Sequence, residues 1–428
     1  MKYYLWTVGC QMNKADSEKL AAGFQRLGLK PTDRMERADI VVLNTCSVRQ
    51  HAEDRAYSKL GRIRQLKEQR PELKVALMGC MVGLKTDDLR RRFPQVDVFA
   101  RPQQFEPIIE LVQGPSEDLG GEFWPTTYAI PEGPCAFVPV VHGCNKFCTY
   151  CIVPYRRGRE KSRPIDEIVR EVAYLTAQGV KEVTLLGQTV EAYGHDLPDQ
   201  PDLGDLMRAL SELDRLERIR FLTSYPKDMT HRILEAVAEL PKVMECFSLP
   251  VQAGSDRVLE SMRRGYTVAE YLDKIRELRE LMPNAGITTD VIVGYPGETE
   301  EDFEQTCALL EEVRFDKVHV AAYSPRPGTI AWRKMEDDVP AEVKAERLHR
   351  VEAIEARISQ EINNTYVGTV QQVLVEGVRG DQPFGRTRTG KLVHIDAPAR
   401  IGSMVDVRIE HAGPFSLRGV PEDALVLV

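Results

Sequence analysis

Between residues 136 and 330 one pattern recurs six times: a short apolar run, a turn, then an amphipathic stretch of helical period. The apolar runs are "AFVPVV", "EVTLLG", "RIRFLTS", "CFSLPV", "ITTDVIVG" and "KVHVAAY"; helical stretches such as "IDEIVREVAYLTAQG", "AEYLDKIRELRELM" and "EEDFEQTCALLEEV" fall between them. Strands separated by helices pair in parallel, because each crossover carries the chain back to the same end of the sheet. Six such units fit an open barrel of the (β/α)6 kind, with its chemistry at the C-terminal ends of the strands. The domain is expected over residues 136–363. Within it, 340–362 reads as a charged connector helix packed through Val343, Leu348, Val351, Ile354, Ile358 and Ile362.

The same alternation occupies residues 1–113, where "YYLWTV", "DIVVLN" and "KVALM" read as strands of a parallel α/β sheet. Asp16 or Ser17 is the expected N-cap of the first helix. "GPSEDLGGEFWPTTYAIPEGP" is rich in Gly and Pro and marks a linker within 114–135. Residues 364–428 change to short β runs broken by Gly and Pro, which predicts a small antiparallel barrel. The chain has no run of about 18 apolar residues and its N-terminus lacks a basic signal-peptide region, so a cytoplasmic, non-membrane protein is expected. In a reducing compartment the nine cysteines favour metal binding over a disulfide framework. The net charge of −8 excludes indiscriminate nucleic-acid binding but leaves local basic patches open.

"HGCNKFCTYC" places Cys144, Cys148 and Cys151 directly after the first barrel strand. Three thiolates at this spacing suit an iron–sulfur cluster with one open iron, or zinc with His142 as fourth ligand. The run "CNKFCTYC", with Tyr150 as the aromatic before the last cysteine, resembles the signature of the radical SAM superfamily. That resemblance implies a [4Fe–4S] cluster whose fourth iron is chelated by S-adenosylmethionine (SAM) and whose reduction yields a 5′-deoxyadenosyl radical. It also implies cofactor contacts from Gly187 and Gln188 in "LLGQ", from Gln252 and Ser255 in "SLPVQAGSD", and from "VIVGYPGE".

Cys10, Cys46 and Cys80 lie far apart, yet each ends a predicted parallel strand, in "VGC", "NTC" and "MGC". Parallel strands present their C-terminal ends on one edge, where α/β folds bind ligands, so the three thiols are expected to converge there on a second cluster; buried core cysteines are the alternative. With "GCQMN", "NTCSVR" and "MGC" ahead of such a barrel, and a tail similar to a TRAM domain, the chain resembles the methylthiotransferases, most closely their MiaB type. The resemblance implies methylthiolation of C2 of N6-isopentenyladenosine at position 37 of tRNA. One SAM would methylate a sulfur of the auxiliary cluster and a second would supply the radical. It further implies an electron donor of the flavodoxin or ferredoxin kind and a monomer. The sequence departs from the family pattern at His142, Thr189 and Glu191. Cys135, Cys246 and Cys307 belong to neither triad and read as packing residues.

Two basic groups are candidates for RNA. Arg156, Arg157 and Arg159 follow the radical SAM signature in "PYRRGREKSRP", and Arg386, Arg388 and Lys391 sit beside Phe384 in the β tail, a mixture that small barrels use on RNA backbone and bases. An anticodon-loop base is the expected target, since extruding an unpaired base costs little. Two alternatives stay open: another modified adenosine or a ribosomal protein as substrate, and a zinc-stabilised RNA-binding protein without redox chemistry.

Overall fold

The computed structural model describes residues 1–48, 50–83, 85–114 and 128–422. It divides into two compact units: Met1–Pro131 with His142–Asn145 and Cys151–Glu160, and Glu132–Val141 with Lys146–Tyr150 and Lys161–Val428. The barrel and the C-terminal β domain, expected as separate domains, thus pack as one unit. Most of the expected linker, residues 115–127, lies outside the described residues, as do 423–428 of the last β run.

In the first unit the elements run β1 (Lys2–Thr7), α1 (Gln11–Arg26), β2 (Lys30–Pro31), β3 (Ile40–Thr45), α2 (Gln50–Gln69), β4 (Lys74–Gly79), α3 (Asp87–Arg92), β5 (Val98–Ala100) and α4 (Glu106–Gln113). Their parallel sheet has the order β2-β1-β3-β4-β5. Strand β3 is buried along its whole length, as a central strand covered on both faces must be. Ile40 and Val42 face Leu20 and Phe24 of α1, whereas Val41 and Leu43 face Leu60 and Ile63 of α2. Helix α1 begins at Gln11 with Cys10 as its N-cap residue, not at Asp16 or Ser17. Both polar residues lie inside the helix: the Ser17 hydroxyl accepts from Thr7 Oγ1 at 2.7 Å and from Asn44 Nδ2 at 2.9 Å, and Asp16 pairs with Arg157.

The second unit continues with β6 (Cys135–Pro139), β7 (Val141–His142), α5 (Val153–Arg157), β8 (Lys161–Ser162), α6 (Ile165–Ala177), β9 (Glu182–Leu186), α7 (Leu203–Ser211), β10 (Arg218–Leu222), α8 (His231–Glu239), β11 (Cys246–Ser248), α9 (Asp256–Ser261), α10 (Val268–Leu281), β12 (Gly286–Val293), α11 (Glu300–Val313), β13 (Lys317–Ala322), α12 (Ile330–Lys334) and α13 (Ala341–Asn364), although α5 and His142 pack with the first unit. Strands β6, β9 and β10 pair in parallel, as do β11, β12 and β13. Between β10 and β11 the ladder thins to one bridge, Ile219 to Val243. The six strands therefore form the expected open arc, with a weak seam at its middle. Capping boxes at Asp202/Asp205, Thr267/Glu270 and Thr299/Asp302 start three of its helices. Helix α13 packs on the arc, but its buried face carries Arg347 and Glu355 beside Val351 and Ile358, with Arg347 bridging Glu298 at 2.8 Å.

Beyond α13 a closed barrel of order β14-β15-β16-β18-β17 is built from β14 (Val370–Arg379), β15 (Gln382–Thr387), β16 (Leu392–Ile395), β17 (Met404–Ala412) and β18 (Leu417–Pro421). This small barrel docks against the N-terminal ends of all six strands of the arc. The ligand atoms of Cys135, Glu182 and Glu376 lie within 4.8 Å of one another. Arg218 donates to the carbonyls of Arg386 at 2.8 Å and Thr387 at 2.9 Å. Gly390 leaves room for the Cys246 sulfur, and Gly286 for the Thr389 backbone. Lys391 pairs with Asp316, just before β13, at 2.5 Å.

This docking engages Arg386, Arg388 and Lys391, the residues expected to meet RNA. Arg386 pairs with Glu376, and Arg388 caps the carbonyls of Pro241 and Val243 and reaches Glu245. Lys391 is buried. All three hold partners within the chain, Lys391 out of solvent and Arg386 and Arg388 with part of the side chain still exposed, so the cluster marks a structural joint. Arg388→Ala leaves those carbonyls unmet, and urea unfolding is expected to lose about 1–3 kcal/mol. Limited trypsin digestion is expected to release the C-terminal barrel earlier than in the parent chain.

Candidate functional site

In the first unit the register sets Thr7 opposite Asn44 and Thr45 opposite Gly79, so Cys10, Cys46 and Cys80 leave adjacent parallel strands at one edge. Two of them follow glycines at φ +133° (Gly9) and +96° (Gly79), turns that a side chain would strain. A Cβ on Gly9 would stand 2.9 Å from that of Cys46, which shows how closely the two strand ends approach. Asn13, in the first turn of α1, ties the edge together. Its Nδ2 donates to the carbonyls of Val8 at 3.0 Å and Thr45 at 2.9 Å, and the Cys10 thiol lies 3.7 Å from its Oδ1. Ser47 Oγ donates to the Cys80 carbonyl at 2.9 Å. The structure therefore places the three scattered cysteines at one edge of the sheet.

Arg157 completes this edge from the segment after the radical SAM signature. Its Nη2 donates to Asn13 Oδ1 at 2.7 Å and to Asp16 Oδ2 at 3.2 Å, with both ion-pair side chains about 2% exposed. That burial corrects its assignment to RNA: no phosphate reaches it. Burial pushes the Cys80 thiol up to about 11; the Arg157 guanidinium opposes this shift, while the Cys46 and Cys10 sulfurs add to it. Three soft ligands and one buried cation fit an iron–sulfur cluster with one iron left open. Arg156, also placed with RNA, is half-buried and packs against Gly83, while its carbonyl accepts from Arg101 at 3.3 Å. Arg159 stays exposed and reaches Asn145 Oδ1 at 3.4 Å; Phe384 is half-buried over Gly377.

For the "CNKFCTYC" motif, Gly143 adopts φ +74°, where a Cβ would run into the Arg159 carbonyl. The Cys144 amide donates to the Gly158 carbonyl at 3.1 Å. Cys144 and Cys148 are buried and Cys151 is half-buried. Thr149 anchors the motif to the barrel: its amide donates to Met262 O at 3.1 Å, its carbonyl accepts from Ala331 N at 2.8 Å, and its hydroxyl meets Tyr295 Oη at 2.7 Å. Arg264, which the sequence reading missed, lies directly behind Cys148. Its Nη1 reaches Cys148 Sγ and the Tyr150 hydroxyl at 3.4 Å each, and its Nε donates to Tyr266 Oη at 2.9 Å. Tyr225 and Tyr266 flank the guanidinium at 4.7 and 5.3 Å from their ring centroids. The paired basic residues "RRGY" after a short helix were the only available signal. His142, the zinc alternative's fourth ligand, is buried with its ring against the Gln103 carboxamide.

Among the expected SAM contacts, Gly187 and Gln188 follow β9, and a Cβ on Gly187 would press on Val141 at 2.6 Å. Gln252 holds φ +76° while its backbone bridges to β12. The Ser255 hydroxyl donates to Asp302 at 2.6 Å, so its proton is committed to the barrel wall. Arg257, Ser255 and Thr299 together hold the Asp302 carboxyl below its usual range despite desolvation.

A Radical SAM superfamily model matches residues 138–310, an Uncharacterized protein family UPF0004 model matches 2–100, and a TRAM domain model matches 364–421. A tRNA-2-methylthio-N(6)-dimethylallyladenosine synthase of Chloroflexus aurantiacus is 46% identical over 98% of this chain and 91% of its own length. One from Roseiflexus sp. is 47% identical over 98% and 89%. The chain belongs to the tRNA-2-methylthio-N(6)-dimethylallyladenosine synthase family. A radical S-adenosylmethionine methyltransferase from Kitasatospora setae shares the fold, with TM-score 0.57 and 13% identity over 88% of this chain and 79% of that one.

Within this family's barrel the departure at Glu191 has a measurable consequence. The side chain is 1% exposed and its Oε2 accepts from Tyr225 N at 3.0 Å. Burial pushes its carboxyl up to about 7, with backbone hydrogen bonding a partial offset. The folded state therefore holds a proton that the unfolded chain releases near its ordinary carboxyl value, and stability falls as pH rises through that window. Above pH 7 the loss is complete, at most about 3 kcal/mol. Glu191→Gln is expected to flatten the dependence of the urea midpoint on pH between 4.5 and 7 and to raise stability at pH 8.

Proposed function

We propose that this chain transfers a methylthio group to C2 of N6-isopentenyladenosine at position 37 of tRNA, by radical SAM chemistry with two [4Fe–4S] clusters. The observation that carries it is identity of 46–47% over nearly the whole chain with synthases of that name. Support from the molecule itself is the meeting of Cys10, Cys46 and Cys80 at one sheet edge, apart in sequence from Cys144, Cys148 and Cys151. An aromatic C–H is too weak an acid for general-base removal, and a SAM-chelating cluster supplies the radical that can take the hydrogen instead.

The residues divide that work. Cys144, Cys148 and Cys151 hold the first cluster and leave one iron for SAM. Tyr150, Gly187, Gln188 and Gln252 line the strand ends where the cofactor sits. Ser255 acts by fixing Asp302. Arg264 places a positive charge behind Cys148 and orients Tyr150. Cys10, Cys46 and Cys80 hold the second cluster, which carries the sulfur. The anticodon loop is recognised with help from the C-terminal TRAM domain, which carries the half-buried Phe384, and separately by the exposed Arg159 of the first unit. We further propose that the chain works as a monomer in the cytoplasm with a flavodoxin or ferredoxin as reductant; among the described residues no helix is long and apolar enough to cross a membrane.

Nucleoside mass spectrometry of tRNA from a strain lacking this chain is expected to show 2-methylthio-N6-isopentenyladenosine replaced by N6-isopentenyladenosine; an unchanged profile overturns the assignment. With the purified chain, replacing Cys10, Cys46 and Cys80 by Ala is expected to leave SAM cleavage within about threefold of the parent rate while methylthiolation disappears.

A further inference from the structure

The Arg157 side chain is 2% exposed and carries a full positive charge into the interior of the first unit. A buried cation is costly unless it is matched, and here the match within the chain is incomplete. Nη2 is used by Asn13 and Asp16, but Nη1 has no hydrogen-bonding partner of its own among the described residues. Burial also pushes the Asp16 carboxyl up, which weakens it as a lone counter-ion. The other charges the guanidinium feels are the sulfurs of Cys80 and Cys10. Asn13 holds both the guanidinium and the Val8 and Thr45 carbonyls from which the cysteines emerge, so charge and thiols share one rigid frame. An arginine placed this way, with one N–H group unmatched beside three cysteine side chains, is arranged for an anionic group held by them.

We propose that Arg157 is the counter-charge of the second cysteine triad, offering its remaining N–H to the sulfur of the group held by Cys10, Cys46 and Cys80 and setting how readily that group is loaded and reduced. The proposal rests on the two-cluster reading above. Adding an electron to a thiolate-held cluster increases its negative charge, so a fixed cation nearby favours the reduced form and its removal disfavours it. Arg157 thus acts on the group itself, through charge and one hydrogen bond, and its readouts are loading and potential.

The test uses the full chain with Cys144, Cys148 and Cys151 replaced by Ala, so that only the second cluster reports. Iron and sulfide are counted after anaerobic reconstitution, and the midpoint is read by EPR during titration with dithionite and mediators. Arg157→Met is expected to lower cluster loading at least tenfold or, where loading survives, to move the midpoint to more negative potential. Arg157→Lys, which keeps the charge, is expected to restore loading to within about twofold. Asp16→Asn removes the competing carboxylate and is expected to move the midpoint the other way. Arg157→Met with parental loading and an unshifted midpoint overturns the proposal. Should Arg157→Met fail to fold, Asp16→Asn decides alone, and an unmoved midpoint overturns it. The two-cluster reading is checked separately in the chain with all six cysteines. About four irons there instead of about eight overturns that reading and the proposal with it; about eight irons with an indifferent Arg157 overturns only the proposal.

Discussion

Parallel pairing governs both halves of this molecule. A strand that must be followed by a helix on the face of its own sheet sends the chain out at the same edge every time. Residues dozens of positions apart, such as Cys10, Cys46 and Cys80, thereby become neighbours without any local sequence relation between them. The glycines in front of Cys10 and Cys80 serve the same constraint, since the chain must turn at once where the strand ends and only a residue without a Cβ fits against the neighbouring strand end. Parallel strands also leave a second edge, and in the barrel the small β domain occupies it across all six strands. One end of the arc is thus committed to stability, and the other keeps Cys148 and the loops that follow the strands.

Sulfur ligands make electrostatics the next requirement. A thiolate is disfavoured by burial, as the raised Cys80 shows, so a buried site meant for anionic sulfur needs cations of its own. The chain supplies an arginine to each set: Arg157 against the scattered triad and Arg264 against Cys148. The two are held differently. Arg157 has a carboxylate and a carboxamide, whereas Arg264 has aromatic faces, a tyrosine hydroxyl and the Pro250 carbonyl at 2.9 Å. Arg264 therefore keeps more of its charge uncompensated by the protein. The other grouping of ligand-type side chains, Cys135 with Glu182 and Glu376, has Arg218 and Arg386 where a metal would sit. The carboxylates and burial there push the Cys135 thiol far up, and it stays protonated as a packing residue.

The order of strands and helices was legible because hydrophobic period is a local property, and the positions of Cys10, Cys46 and Cys80 were legible because each follows a strand that the pattern reveals, whereas Cys144, Cys148 and Cys151 show in their spacing alone. What escaped was every polar residue whose partner is distant. Asp16 and Ser17 have the chemistry of N-caps, and nothing local distinguishes a cap from a polar residue turned toward Asn44 or Arg157. Arg386, Arg388 and Lys391 have the composition of an RNA-binding stretch, yet two of the groups that Arg388 satisfies are backbone carbonyls, which every sequence contains and none announces. Arg157 was misplaced for the same reason, since a basic run displays its charge and hides which of its members is buried.

That last error carries a general consequence for the stretch "PYRRGREKSRP". Its arginines do not act as one patch. Arg157 is sealed against the thiol edge, Arg156 is half-buried, Arg159 is exposed, and Arg163 is buried in a bridge to Glu171 at 2.6 Å. Five cations lie within eight residues, Lys161 being exposed like Arg159, and their dielectric surroundings range from buried to open, so their interaction with an anion differs accordingly. A charge that faces solvent is screened and serves encounter with a polyanion, while one that is buried is unscreened and serves a fixed partner. Counting basic residues merges these two uses; burial separates them. By that criterion Arg159 and Lys161 face solvent, and Arg157 faces a fixed partner within the chain.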